Sequence, residues 1–276
     1  MLEALADVRW ARLLVVALVG YGVVALVGLL FAERLIFQPP RSTYAPADLD
    51  FIRAPVGDGA SVAVLHLPSD TAHYTILYSH GNAEDLGHVL PLLRSLRELG
   101  FGVVAYDYRG YGQSTAGPPT ARKAVEDAEA VYRFAVRELG IRSDRLILFG
   151  SSVGSGPTLE LAVRHDAAGV ILQSAFTSTY RVITRIPMLP FDRFPNLMRV
   201  RELQRPLLVI HGTRDRIVAA WHGRRLFAEA AEPKQALWVD GAGHNDVPIV
   251  AGDMYAQALA RFVDVLGRPQ SGSVPP

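Results

Sequence analysis

The chain contains no cysteine. That excludes a disulfide framework, a thiol nucleophile and a thiolate metal site. It leaves the compartment open, because a cysteine-free protein tolerates either redox setting. A basic run is also missing: 28 Lys and Arg stand against 27 Asp and Glu, a net charge of +1. Nucleic-acid binding calls for a basic face, so no nucleic-acid partner is expected. Lysine is scarce beside arginine and alanine is abundant, a bias that suggests a GC-rich bacterial genome. The sequence shows no internal repeat, no H-E-x-x-H and no histidine pair at i,i+4, so no metal or cofactor is expected. What is present is 276 residues, half of them hydrophobic, ample for one large core.

The amino terminus differs in kind from the rest. Residues 13–32, LLVVALVGYGVVALVGLLFA, carry no charge. About 20 apolar residues at ~1.5 Å rise cross the ~30 Å hydrocarbon core of a bilayer. A cleaved signal peptide has a shorter apolar run and a small-x-small cleavage site, which residues 30–32 do not offer. The expectation is therefore a 1–12 flank, an uncleaved transmembrane anchor over 13–32 and a proline-bearing connector over 33–48. A cleaved signal and a buried hydrophobic helix are the competing readings. Arg9 and Arg12 precede the run and Arg34 and Arg41 follow it, so the positive-inside count is nearly balanced. The reading adopted is a single-pass protein, with a cytoplasmic amino terminus and an exported domain at a bacterial inner membrane.

From residue 49 to 267 short apolar runs alternate with amphipathic stretches. Strands are expected at 49–54, 61–67, 75–80, 103–107, 146–149, 170–172, 207–211 and 237–240. Helices are expected at 86–99, 121–139, 153–165, 221–231 and 253–266. The first two strands suggest an antiparallel entry. The rest is the pattern of an α/β fold, a mostly parallel central sheet with helices on both faces. Residues 174–200 break the rhythm with Pro187, Pro190 and Pro195 among apolar side chains. An irregular insertion of this length is unusual unless functional, and a short lid over an acyl pocket is the sharper reading beside a loop covering core. Residues 268–276 read as a disordered tail.

Functional residues in open α/β sheets gather at the carboxyl ends of the strands. After the run 146–149 stands G-S-S-V-G, which fits G-x-S-x-G centred on Ser152. Gly150 and Gly154 let strand and helix pack closely around a strained turn that pushes the serine hydroxyl outward; the bland alternative is a helix N-cap serine. After residues 75–79 come His80, Gly81 and Asn82, a loop placed to give one backbone N–H of an oxyanion hole. Val153, which follows the serine, would give the other. Asp215 follows the strand at 207–211, and His244 follows the strand at 237–240. The chain order Ser, Asp, His is that of an α/β-hydrolase triad, in which His244 takes the serine proton and Asp215 orients the imidazole. Asp215 could instead pair with Arg214 or Arg216, His244 could be a turn residue, and Asp246 could compete as the acid.

Taken together, HGNAEDLG (80–87), YDYRGYGQS (106–114), GSSVGSGP (150–157), HGTRDRIV (211–218) and GAGHND (241–246) resemble the α/β-hydrolase superfamily. The likeness is to its serine-aminopeptidase-like, monoglyceride-lipase-like branch, near membrane-anchored α/β-hydrolase-domain proteins that include depalmitoylases and lysophospholipase-like enzymes. The resemblance implies Ser152 as nucleophile, Asp215 as acid, His244 as base, and Asn82 and Val153 as oxyanion donors; it implies a structural role for Asp107 and Arg109. Eukaryotic depalmitoylases of this group attach through a lipidated, cysteine-rich terminus, which this cysteine-free chain lacks. The function expected is a serine esterase or thioesterase acting on small or lipid-like acyl substrates. An amide or peptide hydrolase and a non-catalytic binding protein on the same scaffold are the alternatives. Epoxide hydrolase and dehalogenase chemistry needs Asp where the elbow carries Ser152.

Overall fold

A computed structural model describes residues 2–57, 59–184 and 192–267. The 268–276 tail and the middle of the expected lid, residues 185–191, lie outside the described residues. The chain divides into two units, Met1–Gln38 and Pro39–Pro276.

The first unit is one helix, α1 (Leu2–Ile36). It takes in the uncharged run and extends beyond it at both ends. Within it Arg12–Ile36 is long and apolar enough to cross a membrane; 25 residues of helix reach about 37 Å.

The second unit is an eight-stranded sheet. Its strands are β1 (Phe51–Gly57), β2 (Ala60–Leu67), β3 (Thr75–Ser79), β4 (Gly102–Tyr106), β5 (Leu146–Ser151), β6 (Gly169–Gln173), β7 (Leu207–Gly212) and β8 (Lys234–Val239). They lie in the order β1-β2-β4-β3-β5-β6-β7-β8. β1 and β2 pair antiparallel, as do β2 and β4, and the rest pair parallel. The helices are α2 (Leu86–Glu98), α3 (Ala121–Arg137), α4 (Ser155–Arg164), α5 (Thr179–Thr184), α6 (Asn196–Glu202), α7 (Trp221–Glu229), α8 (Val247–Ala251) and α9 (Asp253–Leu266).

Strands β3 to β7 read as continuous apolar runs because both faces are covered. On one face Leu86, Val89, Leu93 and Leu96 of α2 and Tyr255, Leu259 and Phe262 of α9 pack on Ile76, Tyr78, Phe149 and Ile210. α3, α4 and α7 pack from the other side. The helical spacing of the apolar residues seats α2, and its start is fixed by Asp85, which accepts from the His88 N–H at 3.0 Å; N-caps of this kind satisfy donors the helix leaves open.

Most element boundaries shift by one to three residues from the sequence reading, and the short helices α5, α6 and α8 were not expected; two of the shifts have a local cause. β8 begins at Lys234 rather than 237; it is an edge strand, and its half-exposed first residues carry no apolar signal. The helix expected from residue 153 is divided into a 3₁₀ turn, Ser152–Gly154, and α4 from Ser155, because Ser152 adopts φ +50° and cannot start an α-helix.

Candidate active site

The elbow is built by close approach. A Cβ on Gly150 would lie 2.7 Å from the Gly154 carbonyl oxygen and 2.7 Å from Ser155 Cα, and one on Gly154 would strike the Ser79 carbonyl. Glycine at both positions lets β5, the 3₁₀ turn and the end of β3 interleave. Ser152 then sits in the left-handed region, uncommon for a non-glycine residue and strained unless its surroundings enforce it. The Ser155 hydroxyl donates to the Ser152 carbonyl at 2.6 Å. Buried Asn196, at the start of α6, donates to Ser155 Oγ at 2.9 Å and to the Phe176 carbonyl at 3.0 Å. The described end of the 174–200 segment is thus tied to the base of the elbow.

Three side chains from three strand ends meet in a line. Ser152 Oγ stands 3.0 Å from His244 Nε2, and His244 Nδ1 stands 2.7 Å from Asp215 Oδ2. A carboxylate only accepts, so the Nδ1–H donates to it, which leaves Nε2 able to accept the serine proton. Asp215 Oδ1 accepts from the N–H groups of Ile217, 2.9 Å, and Val218, 2.8 Å. Burial favours the protonated acid, but the hydrogen bonds from His211, His244 and the Val218 N–H outweigh it and hold the Asp215 carboxyl well below the usual range. The acid and base loops are stitched together, Arg214 N–H donating to the Ala242 carbonyl at 2.9 Å and Gly241 N–H to Thr213 Oγ1 at 3.0 Å. Asp246 is used otherwise: its Oδ1 accepts from Gly243 N–H at 2.6 Å.

The loop after β3 approaches the serine closely enough that a Cβ on Gly81 would lie 3.5 Å from Ser152 Cβ. Gly81 N–H is engaged by Glu84 Oε2 at 2.7 Å. Asn82 follows, its side-chain oxygen accepting from the Tyr111 hydroxyl at 3.2 Å, and Val153 is buried in the 3₁₀ turn. His80 is enclosed between Tyr108 and Tyr111, with ring centroids 4.5 and 5.3 Å away. Its Nδ1–H donates to the Gly81 carbonyl at 2.7 Å, so it braces this loop.

Beneath the site, Asp107 accepts from Leu86 N–H at 2.9 Å and from the Tyr44 hydroxyl; burial pushes its carboxyl up. Arg109 clamps buried Asp127 through its backbone N–H, 2.8 Å, and its Nε, 2.5 Å. Burial still pushes Asp127 up to about 6, against the pull of Arg109.

Sequence reasoning missed three residues around the line. Ser174, at the end of β6, has φ +50° and donates from Oγ to the His244 carbonyl at 3.3 Å. Glu84 holds the Gly81 N–H. His211, fully buried at the end of β7, has its Nε2 3.3 Å from Asp215 Oδ2. The one available signal was a histidine closing an otherwise apolar strand, four residues before the acid.

Residues 70–194 match the family model described as serine aminopeptidase, S33. The human α/β hydrolase domain-containing protein 17B is 39% identical over 198 residues, 71% of this chain and 68% of that protein. The Caenorhabditis elegans α/β hydrolase domain-containing protein aho-3 is 37% identical over 201 residues, 72% of this chain and 60% of that one. These relatives are animal proteins, so they give no support to a bacterial source. Among solved structures, the Pyrococcus furiosus esterase Pf2001 superposes with a TM-score of 0.70 at 17% identity, covering 84% of this chain and 98% of the esterase. A hydrolase from Pseudomonas aeruginosa gives 0.61 at 20% identity, covering 79% and 99%. At those identities the solved structures speak for the fold alone. The identity and coverage of the human relative carry the further step: the chain belongs to the α/β-hydrolase-domain family and is a hydrolase.

Proposed function

We propose that the protein is a serine hydrolase that cleaves carboxylic esters or thioesters of acyl substrates, with Ser152 as nucleophile, His244 as general base and acid, and Asp215 as the acid that orients it. The observation that carries this reading is the line Ser152 Oγ, His244, Asp215 at 3.0 and 2.7 Å, with the serine on a strained turn. Ser152 Oγ attacks the acyl carbon while His244 Nε2 takes its proton. The carbonyl oxygen becomes an oxyanion, for which the backbone N–H groups of Val153 and Asn82 are the assigned donors. The intermediate collapses and the alcohol or thiol leaves with the proton from His244. Water, activated by the same imidazole, then attacks the acyl-serine and releases the acid and free Ser152. The 80–84 loop lying against Ser152 supports Asn82 as the donor, since the Gly81 N–H is already engaged by Glu84.

We read the helix Arg12–Ile36 as a single-pass anchor, and that reading favours lipid-like or membrane-partitioning acyl substrates. The test is labelling of detergent-solubilised protein by a fluorophosphonate, followed by hydrolysis of p-nitrophenyl esters of rising chain length. Wild type is expected to label. Ser152→Ala is expected to lose labelling and to fall by about 10³-fold or more in kcat. Substantial hydrolysis by a folded Ser152→Ala would overturn the mechanism.

A further inference from the structure

The Asp215 carboxylate has a partner that the Ser-His-Asp line does not use. His211 lies at the end of β7 with no exposed surface. Its Nε2 stands 2.8 Å from the Val218 carbonyl oxygen and 3.3 Å from Asp215 Oδ2. A carbonyl only accepts, so Nε2 carries a hydrogen, and that hydrogen points between two acceptors. Nδ1 is buried with no hydrogen-bond partner and faces the backbone of α7, where a Cβ on Gly223 would lie 2.5 Å from it. A bare nitrogen there is less costly than a buried N–H without an acceptor, so His211 is neutral, with its proton on Nε2. A buried histidine with an idle nitrogen, seated against a glycine inside a helix, carries two penalties that an apolar residue at 211 would avoid. Departures of this kind concentrate where function needs them.

We propose that His211 is a positioning residue of the triad: its Nε2–H, shared between Val218 O and Asp215 Oδ2, holds the carboxylate against His244 Nδ1 and tempers its pull on the imidazole proton. The inference rests on the triad reading above. Asp215 then accepts from Ile217 N–H and Val218 N–H on Oδ1 and from His244 Nδ1–H on Oδ2, with His211 Nε2 beside Oδ2 at 3.3 Å. The titratable and charged groups facing the cluster are Asp215 and His244 themselves, His222 from α7 and Arg181 from α5. His222 Nδ1 accepts from Thr177 N–H at 3.2 Å, so that nitrogen is bare and His222 brings no charge. Removing the His211 donor concentrates charge on Oδ2, stabilises the His244 imidazolium and raises the pH at which His244 becomes the free base.

The test uses the full chain in detergent, with p-nitrophenyl acetate hydrolysis and fluorophosphonate labelling rates measured across pH. In kcat/KM the acid limb reports the free enzyme's essential base. His211→Leu is expected to move that limb upward by about half a pH unit or more and to lower the plateau by roughly tenfold. His211→Gln, whose amide N–H can reach Oδ2, is expected to restore the limb and most of the plateau. A loss of rate with no shift of the limb, or a shift that His211→Gln fails to correct, overturns the inference. Should His211→Leu not fold, His211→Asn, with an amide too short to reach Oδ2, is read by the same criteria. A folded wild type that does not label overturns the triad reading and this inference together; a labelling wild type with an unmoved limb in the variant overturns this inference alone.

Discussion

Alanine at Gly154 would test whether the elbow and the loop after β3 form one mechanical unit. The added Cβ would strike the Ser79 carbonyl, 2.6 Å from its carbon, and would lie 2.8 Å from the His80 carbonyl oxygen. Non-bonded heavy atoms rest at about 3.5–4 Å, so the two backbones must part by roughly 1 Å. Neither obstacle is the end of a side chain that could rotate away. β3 is held on both sides by β4 and β5, so the displacement falls on the elbow or on the 80–84 loop. Overpacking of this sort costs about 1–3 kcal/mol. A middle value of about 2 kcal/mol lowers Tm by roughly 4–8 °C in a domain of this size. A 1 Å misplacement between nucleophile and oxyanion donors lowers the rate by about 100-fold. The assay is kcat/KM for p-nitrophenyl acetate beside thermal unfolding of the same preparation. Gly156→Ala is the control: its Cβ meets the buried Phe194 ring, 2.8 Å from Cε1, so stability falls while kcat/KM stays within about tenfold, in line with overpacking away from the reacting groups. Wild-type kcat/KM in Gly154→Ala would refute the reasoning.

Further outcomes follow from the same geometry. Burial, with the nearby Arg181 charge adding to it, pushes His222 down to about 4, below its ordinary ~6.5. As pH falls the unfolded chain takes this proton first. The stability tied to neutral His222 is therefore complete above about pH 6.5 and is lost on the way to pH 4, at ~1.4 kcal/mol per unit or roughly 3 kcal/mol in all. Urea unfolding of His222→Gln between pH 7 and 4.5 is expected to show a shallower fall than wild type, and equal slopes would contradict the argument. Removal of residues 1–38 leaves the unit Pro39–Pro276. The truncated chain is expected to leave the membrane pellet and keep fluorophosphonate labelling, whereas continued sedimentation with vesicles would place the membrane contact elsewhere.

Much of the hydrolase fold could be read before any coordinates. The continuous apolar runs of β3, β5, β6 and β7 are strands covered on both faces. The spacing of Leu86, Val89, Leu93 and Leu96 marks a helix that buries one stripe. The glycines at 150 and 154 announced close packing around a serine, and these are the positions where a Cβ would collide with backbone. By contrast, the polar start of β8 at Lys234 and the 3₁₀ start of the elbow helix left no periodic signal. One is an edge strand with half-exposed residues; the other is shaped by Ser152 φ, which its surroundings impose.

The sequence by itself determined the alternation of strand and helix, the uncharged run 13–32 within the amino-terminal helix and the identity of the residues at each strand end. These depend on side-chain pattern and on neighbours within a few positions. Which acid meets His244 was decided only in three dimensions. Asp246 lies two residues away yet caps its own turn, while Asp215, 29 residues back, reaches the imidazole because β7 and β8 are adjacent and their loops are joined at Arg214 and Ala242. Ser152 meets the same ring across 92 residues, and His211 finds Asp215 because both turn inward at the end of one buried strand. Such contacts are set by sheet order and loop approach, and no local pattern along the chain encodes them.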